Sequence, residues 1–247
     1  LFFNVLSILE KGELASREAV MATEKKKERV LASAASGQDH DELAKIFSVL
    51  SPRYLNYATT DQILEDIGRY QRLGSKDFVW NVTRAADSQT RTVKICAKDR
   101  PGLFSKIAGV FTLNSIDIID ARIFTWRNKI AVDIFEVKPP PDQLFEEDRW
   151  SRAEKNLSDA LVDRLDLATA LRKKVSGFRR RKSPPVRRPL RFIVDNSASK
   201  FYTIIEVFTN DYRGLLFNIT DALFHCRLDI WVSKIATKVD QVVDVFY

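Results

Sequence analysis

The sequence predicts an α+β chain, two tandem copies of one antiparallel sheet-and-helix unit behind an all-helical segment. Three observations carry this expectation. First, Asp99-Arg-Pro-Gly-Leu-Phe returns as Asp211-Tyr-Arg-Gly-Leu-Leu. Second, the same motifs follow each opening in the same order: an apolar helical stretch, Asp-Ile (117–118 and 229–230), Ile-x-Thr (123–125 and 235–237) and Asp-x-Phe (133–135 and 244–246). Self-similarity over such a length means two copies of one folding unit. Third, the apolar period is helical up to about residue 74 and changes to two from Phe78. Each copy then reads strand, helix, strand, strand, helix with an added leading strand. That order folds as a ferredoxin-like, split βαβ plan with helices on one face.

Each element has a local reason. Residues 1–11 read as the end of an amphipathic helix, with Phe2, Leu6 and Leu9 on one face, and a charged helical stretch follows through 24–29 until Ser36-Gly37 breaks it. Asp41 to Leu50 is a short helix with Leu43, Phe47 and Leu50 as its stripe, ended by Ser51-Pro52. Thr59 with Gln62 has the form of a capping box for a helix carrying Ile63, Ile67 and Tyr70 and ending near Gly74. Strands are expected at 78–84 and 90–96, joined by a turn at 85–89. Pro101 reads as the first residue of a helix faced by Leu103, Ile107, Val110 and Phe111. Strands 116–126 and 130–138 close on the short hairpin 127–129, and Pro139 to Pro141 stop the sheet. One long helix is expected over roughly 143–171, and strands 192–195 and 202–207 open the second copy. The domain reading is therefore 1–76 helical, 77–171 first unit, 172–191 linker and 192–247 second unit. The second copy is expected to be truncated, lacking its last helix and fourth strand.

Composition narrows the function classes. The hydrophobic fraction of 45% is that of a globular protein. Two cysteines without a secretion signal suggest a reduced, cytoplasmic setting, and no apolar run is long enough to span a bilayer. The net charge of +7 belongs to one stretch: residues 172–191 hold ten basic residues and no acid, so the remainder is mildly acidic. Such a run reads first as a solvated linker and second as a contact for nucleic acid or an acidic partner.

Catalysis finds little support. His40 and His225 are the only histidines, and neither stands in a metal-ligand spacing or a nucleophile–base–acid set. His40-Asp41 reads as a helix entry capped by Asp39 or Asp41. Binding is better supported. In each copy the turn from first strand to first helix places Gly102 or Gly214 where the backbone can approach a ligand closely. Helix N-terminal N–H groups there suit an α-carboxylate. Asp99 and Asp211 either cap that helix or accept an α-ammonium, with Arg100, Pro101, Leu103 and Leu215 around them. Asp117-Ile118 and Asp229-Ile230, at the next strand starts, would complete a site across an interface between units. An ordinary strand-to-helix turn has the same Asp-x-x-Gly form. The second turn carries Tyr212-Arg213 in place of Arg100-Pro101, so the first corner is expected to be the better ligand site. Phe124, Trp126 and Trp231 are expected on outward strand faces, as a pairing surface or under cover of linker and helices.

At these residues the chain resembles tandem ACT domains. DRPGLFSKIAGVFTLNSIDIIDARIFTW followed by AVDIFEV, with Ser51-Pro-Arg-Tyr54, Tyr70-Gln-Arg-Leu73 and Asp195-Asn-Ser-Ala-Ser199, is similar to the bifunctional uridylyltransferase/uridylyl-removing (GlnD) family. Ser115 stands where that family usually has Gly. The resemblance implies that nucleotidyltransferase and metal-dependent HD domains, using Mg2+ or Mn2+, precede these residues, with residues 1–11 the tail of the HD domain. It implies no cofactor and no catalytic residue in this stretch, the PII signal protein as the parent's substrate, and glutamine as an effector in nitrogen regulation. ACT–ACT pairing within or between chains is implied as well. Two other readings remain: a stand-alone tandem ACT protein acting through partners, and an RNA-binding protein using the sheet and the basic run, though the paired aromatic motifs of an RRM are missing.

Overall fold

Two antiparallel sheets follow from the period-two stretches. The computed structural model describes residues 17–33, 40–84, 89–138, 145–177, 190–199, 202–231, 233–235, 237–238 and 241–247. The helical segment comprises α1 (Arg17–Ser33), α2 (His40–Val49), α3 (Pro52–Tyr57) and α4 (Thr60–Leu73). The first unit has β1 (Phe78–Arg84), β2 (Arg91–Lys98), α5 (Leu103–Leu113), β3 (Asp117–Thr125), β4 (Ile130–Lys138), α6 (Glu146–Leu161) and α7 (Leu167–Gly177). The second has β5 (Arg191–Asp195), β6 (Ile204–Asn210), α8 (Leu215–His225), β7 (Ser233–Lys234), β8 (Thr237–Lys238) and β9 (Gln241–Phe246). The readings of residues 1–11, of the break at 36–37, of Pro139 to Pro141 and of 178–189 lie outside the described residues.

The first sheet runs β1-β2-β4-β3 and the second β5-β6-β9-β7, every pair antiparallel. Each leading strand lies beside the first main strand, at the edge that a ferredoxin-like fold fills with its fourth strand. The second sheet thus has that edge supplied from its own front by β5. Both units are ferredoxin-like, and the α+β tandem plan read from the sequence is the one present.

Alternation on β4 sorts the core into two. Ala131, Phe135 and Val137 join α5, α6 and α8 in one cluster; Ile130, Val132 and Ile134 join the helical segment in another. Helices therefore cover both faces of the first sheet, not one as the sequence pattern suggested. Phe124 and Trp126 are buried beneath that segment, Trp126 against Tyr54 and Tyr70 and Phe124 stacked on Tyr57. Cover by helices is what Phe124 and Trp126 receive; Trp231 stands instead in a bend ahead of β7, 39% exposed. Local chemistry seats the segment: Thr59 and Gln62 form the expected capping box, and Ser51 caps α3 with Pro52 in its first turn. Arg91 grips Glu146 with two hydrogen bonds of 2.7 and 2.8 Å, tying α6 to β2 and holding the Glu146 carboxyl below its usual range.

Three boundaries differ from expectation. Pro101 is not the first residue of α5: it sits in a turn in which Leu103 N–H reaches the Arg100 carbonyl at 3.1 Å and Gly102 adopts φ 79°, ψ 4°, the third-position geometry of a type II turn. The long helix read over 143–171 is two helices, broken at 162–166, where Asp163 takes φ 56° and Asp166 accepts from Thr169 N–H at 3.0 Å. Helix α7 also carries six residues of the stretch read as linker. Its Lys174 is drawn onto the Leu113 carbonyl and the Ser115 hydroxyl, and burial lowers its pKa to about 8. Ser115 stands at φ 59°, which explains why a glycine suits that position.

The units meet through α5 and α8, with edge strands β3 and β7 side by side. Gly109 permits the helices to approach: a Cβ there would lie 2.8 Å from the Phe217 ring and 3.0 Å from Leu167. Gly109→Val is therefore expected to cost about 1–3 kcal/mol by overpacking, read as a lower midpoint in urea unfolding.

Candidate functional site

The pairing of α5 with α8 is approximately two-fold, so the second corner meets the start of β3, and the first meets Asp229-Ile230, which lie in the loop ahead of β7 and not at a strand start as the sequence suggested. Asp99, Gly102 and Leu103 share a cavity with Asp229 and Ile230; Asp211, Gly214 and Leu215 share one with Asp117 and Ile118. All four groups of candidate residues come together, crossed between units. The N-cap of each corner helix is a glycine and offers no side-chain cap, while the Asp99 and Asp211 carboxylates accept the N–H of the residue that follows each, Arg100 and Tyr212. The Tyr212–Leu215 turn repeats the first one, with Gly214 at φ 86° and Leu215 N–H 3.0 Å from the Tyr212 carbonyl. Loss of the proline leaves its geometry intact. Of the remaining candidates, Arg100 lines the first cavity with its guanidinium already engaged, and Pro101 stands outside both. The Arg100 guanidinium binds Asp77 at 2.5 Å and the Leu161 carbonyl at 3.1 Å, and Pro101 is exposed and lines neither cavity.

Carboxylates dominate the electrostatics. Burial raises the Asp99 pKa, and facing Asp229 raises it further against the pull of Lys129 and Thr125. Burial and then Asp117 do the same to Asp211, opposed by the Tyr212 N–H and Lys138. Beneath the first corner lies Asp133, 1% exposed; burial pushes its pKa well above the carboxylate range, and its Oδ1 has no hydrogen-bond partner among the described residues. Asp244, also buried, lines the second cavity from the matching strand position. These two acids belong to the site and were read only as part of the repeat. Their signal was available: an acid at an inward position of an apolar strand, twice.

The corners differ in size. The first cavity measures about 20 Å3, room for little more than a water molecule. The second measures about 450 Å3, within the range of small-molecule pockets. One helical position accounts for this. Phe224, next to last in α8, lies 3.1 Å from where a Cβ would stand on Gly102; Thr112, next to last in α5, lies 3.2 Å from the matching point on Gly214. A phenyl ring fills one corner and a hydroxyethyl group leaves the other open. The structure thus orders the corners opposite to the expectation drawn from Arg100-Pro101.

His40 is the first residue of α2 with Asp41 in its first turn, and His225 ends α8 with Nδ1 2.8 Å from the Asp221 carbonyl. Among the described residues no group of three or more His, Cys, Asp or Glu is placed to hold a metal ion. No helix of the described residues is long and apolar enough to cross a membrane.

Two ferredoxin-like units paired side by side, with crossed corners, define a tandem ACT-type module. Comparison with known proteins gives the family. The chain is 33% identical over 235 residues, 95% of its length, to the bifunctional uridylyltransferase/uridylyl-removing enzyme of Novosphingobium aromaticivorans. It is 38% identical over 156 residues to that of Rhodospirillum rubrum and 36% over 163 residues to that of Azospirillum brasilense, 63% of the chain in each case. The chain belongs to the family of bifunctional uridylyltransferase/uridylyl-removing enzymes. It spans 24% of the Novosphingobium enzyme and 17% of the other two. No family model and no solved structure matches.

Proposed function

We propose that this chain is the regulatory, glutamine-sensing part of a cytoplasmic enzyme that uridylylates and deuridylylates the PII signal protein in nitrogen control. On this reading it contributes regulation, and the bond-making chemistry with its divalent cation belongs to the parent's other domains. The observation that carries it is the open corner at Gly214: uncapped N–H groups at the start of α8 beside two carboxylates, Asp211 and Asp117, brought from different units. The N–H groups suit an α-carboxylate and the acids an α-ammonium, which relieves their mutual repulsion. A ligand held by both units stabilises their present arrangement over any other. Regulation requires only that difference in affinity.

Calorimetry of glutamine against the 247-residue chain is expected to show one site at corner Gly214, weakened by about tenfold or more in Asp117→Asn. Because the Asp211 pKa is raised, its charge is lost at a higher pH than for an ordinary carboxylate. Affinity should therefore fall on acidification before free aspartate would titrate. Absence of binding heat at millimolar glutamine, or an isotherm unchanged in Asp117→Asn, refutes the assignment.

A further inference from the structure

Away from both corners, a third cavity, of about 320 Å3, opens where the helical segment, the first unit and the second unit meet. Its lining carries three cations, Arg53, Arg127 and Lys129, and no carboxylate. Two of them lie over aromatic rings of the second unit, Arg53 4.9 Å from the Tyr202 ring centre and Lys129 5.2 Å from that of Trp231. None of the three is in an ion pair among the described residues. Trp126, itself buried, also lines the pocket. The pocket therefore combines three cations outside any ion pair, Lys129 alone acting also on the Asp99 carboxylate, with flat aromatic walls.

We propose that this pocket binds a nucleoside monophosphate. The cations answer a phosphate, which arginine recognises through its planar fork and lysine as a point charge. Tyr202 and Trp231 offer faces on which a base stacks. The volume stands at the small end of ligand pockets, which suits one nucleotide rather than a dinucleotide. The backbone makes the place consequential: Arg127 N–H bonds the Val49 carbonyl at the end of α2, and the Lys129 carbonyl accepts from Asp99 N–H of the first corner. A ligand on this loop touches the helical segment, the hairpin and the second unit together, independently of whether glutamine occupies the corners.

The test uses the 247-residue chain and the fluorescence of its tryptophans, two of the four of which line the pocket. Adenosine monophosphate is the probe, with ribose 5-phosphate and adenosine as the phosphate-only and base-only arms. The expected result is a saturable change with the nucleotide, at least about tenfold tighter than either arm and weakening with added salt. Arg127→Gln and Lys129→Asn replace exposed side chains, and the pair together is expected to weaken binding about tenfold or more while leaving the unfolding midpoint in place. No saturable response to the nucleotide overturns the proposal. So does a response unaffected by the paired substitution, which would place binding elsewhere, or equal binding of ribose 5-phosphate, which would remove the base from the assignment.

Discussion

Asp66→Ala is expected to lower the stability of the chain by about 3–5 kcal/mol, the cost of stripping the partner from a buried cation. Asp66 is 1% exposed and holds three elements together. Its Oδ2 accepts from the Tyr54 hydroxyl at 2.6 Å, and its Oδ1 accepts from Arg69 Nη1. Arg69 in turn reaches Asn81 on β1 at 3.2 Å and Glu65 at 3.2 Å, while Lys94 on β2 bonds Glu65. Removing the carboxylate leaves a guanidinium with only its polar neighbours at Asn81 and Glu65, and a phenol buried without its acceptor. Burial, the larger cause of the raised Tyr54 pKa, persists without the carboxylate, so the phenol does not compensate by ionising. Urea unfolding followed by tryptophan emission reads the loss, since Trp126 packs on both Tyr54 and Tyr70. Asp66→Asn keeps an acceptor for Tyr54 and should fall between the two. A loss below about 1 kcal/mol in Asp66→Ala would show that the helical segment does not depend on this network.

The same network explains what composition made legible and what it did not. The amphipathic stripe of Leu43, Phe47 and Leu50 announced a helix with something to cover, and that something is the outer face of the first sheet. A strand buried on both faces loses its alternation. On β4 the run Ile130-Ala-Val-Asp-Ile-Phe is buried throughout, and its sequence already lacks a polar side. The two-faced cover was therefore written in β4, though the ferredoxin-like pattern drew attention to one face. The break between α6 and α7 was harder to see, because no Gly or Pro marks it and Leu157, Ala160, Leu161 and Leu165 continue a helical stripe. The available sign was Asp166 with Thr169, a cap in mid-stripe. Only the unusual φ of Asp163 completes the turn, and aspartate is among the residues that tolerate that region.

The candidate corners were legible because glycine at a fixed place in a repeat is a backbone statement. Gly102 and Gly214 occupy the left-handed conformation that the turn requires. Which corner is open was not legible from the turn itself. Substitution of Pro101 by Arg213 changes no hydrogen bond of the turn, whereas the deciding side chains come from the opposite helix, far from either motif in sequence. Crossing of the units is a tertiary property, and it alone sets Phe224 over Gly102 and Thr112 over Gly214.

That crossing yields a prediction about binding rather than stability. Thr112→Phe is expected to close the corner at Gly214 and weaken glutamine binding by about a hundredfold or more, because the ring would occupy the volume beside the α8 N-terminus. Phe224→Thr should do the reverse, opening the corner at Gly102, where Asp99 and Asp229 already face each other above the buried Asp133. Phe224 is 39% exposed, so its loss removes only part of an aromatic's burial and the variant is expected to remain folded. Calorimetric stoichiometry separates the outcomes: one site per chain for the parent sequence, two for Phe224→Thr, one for the exchange of both residues, and none for Thr112→Phe. Two sites in the parent sequence would mean that the phenyl ring yields freely to ligand. Undiminished binding in Thr112→Phe would mean that glutamine is held somewhere other than the crossed corners, and the regulatory reading would then need a different pocket.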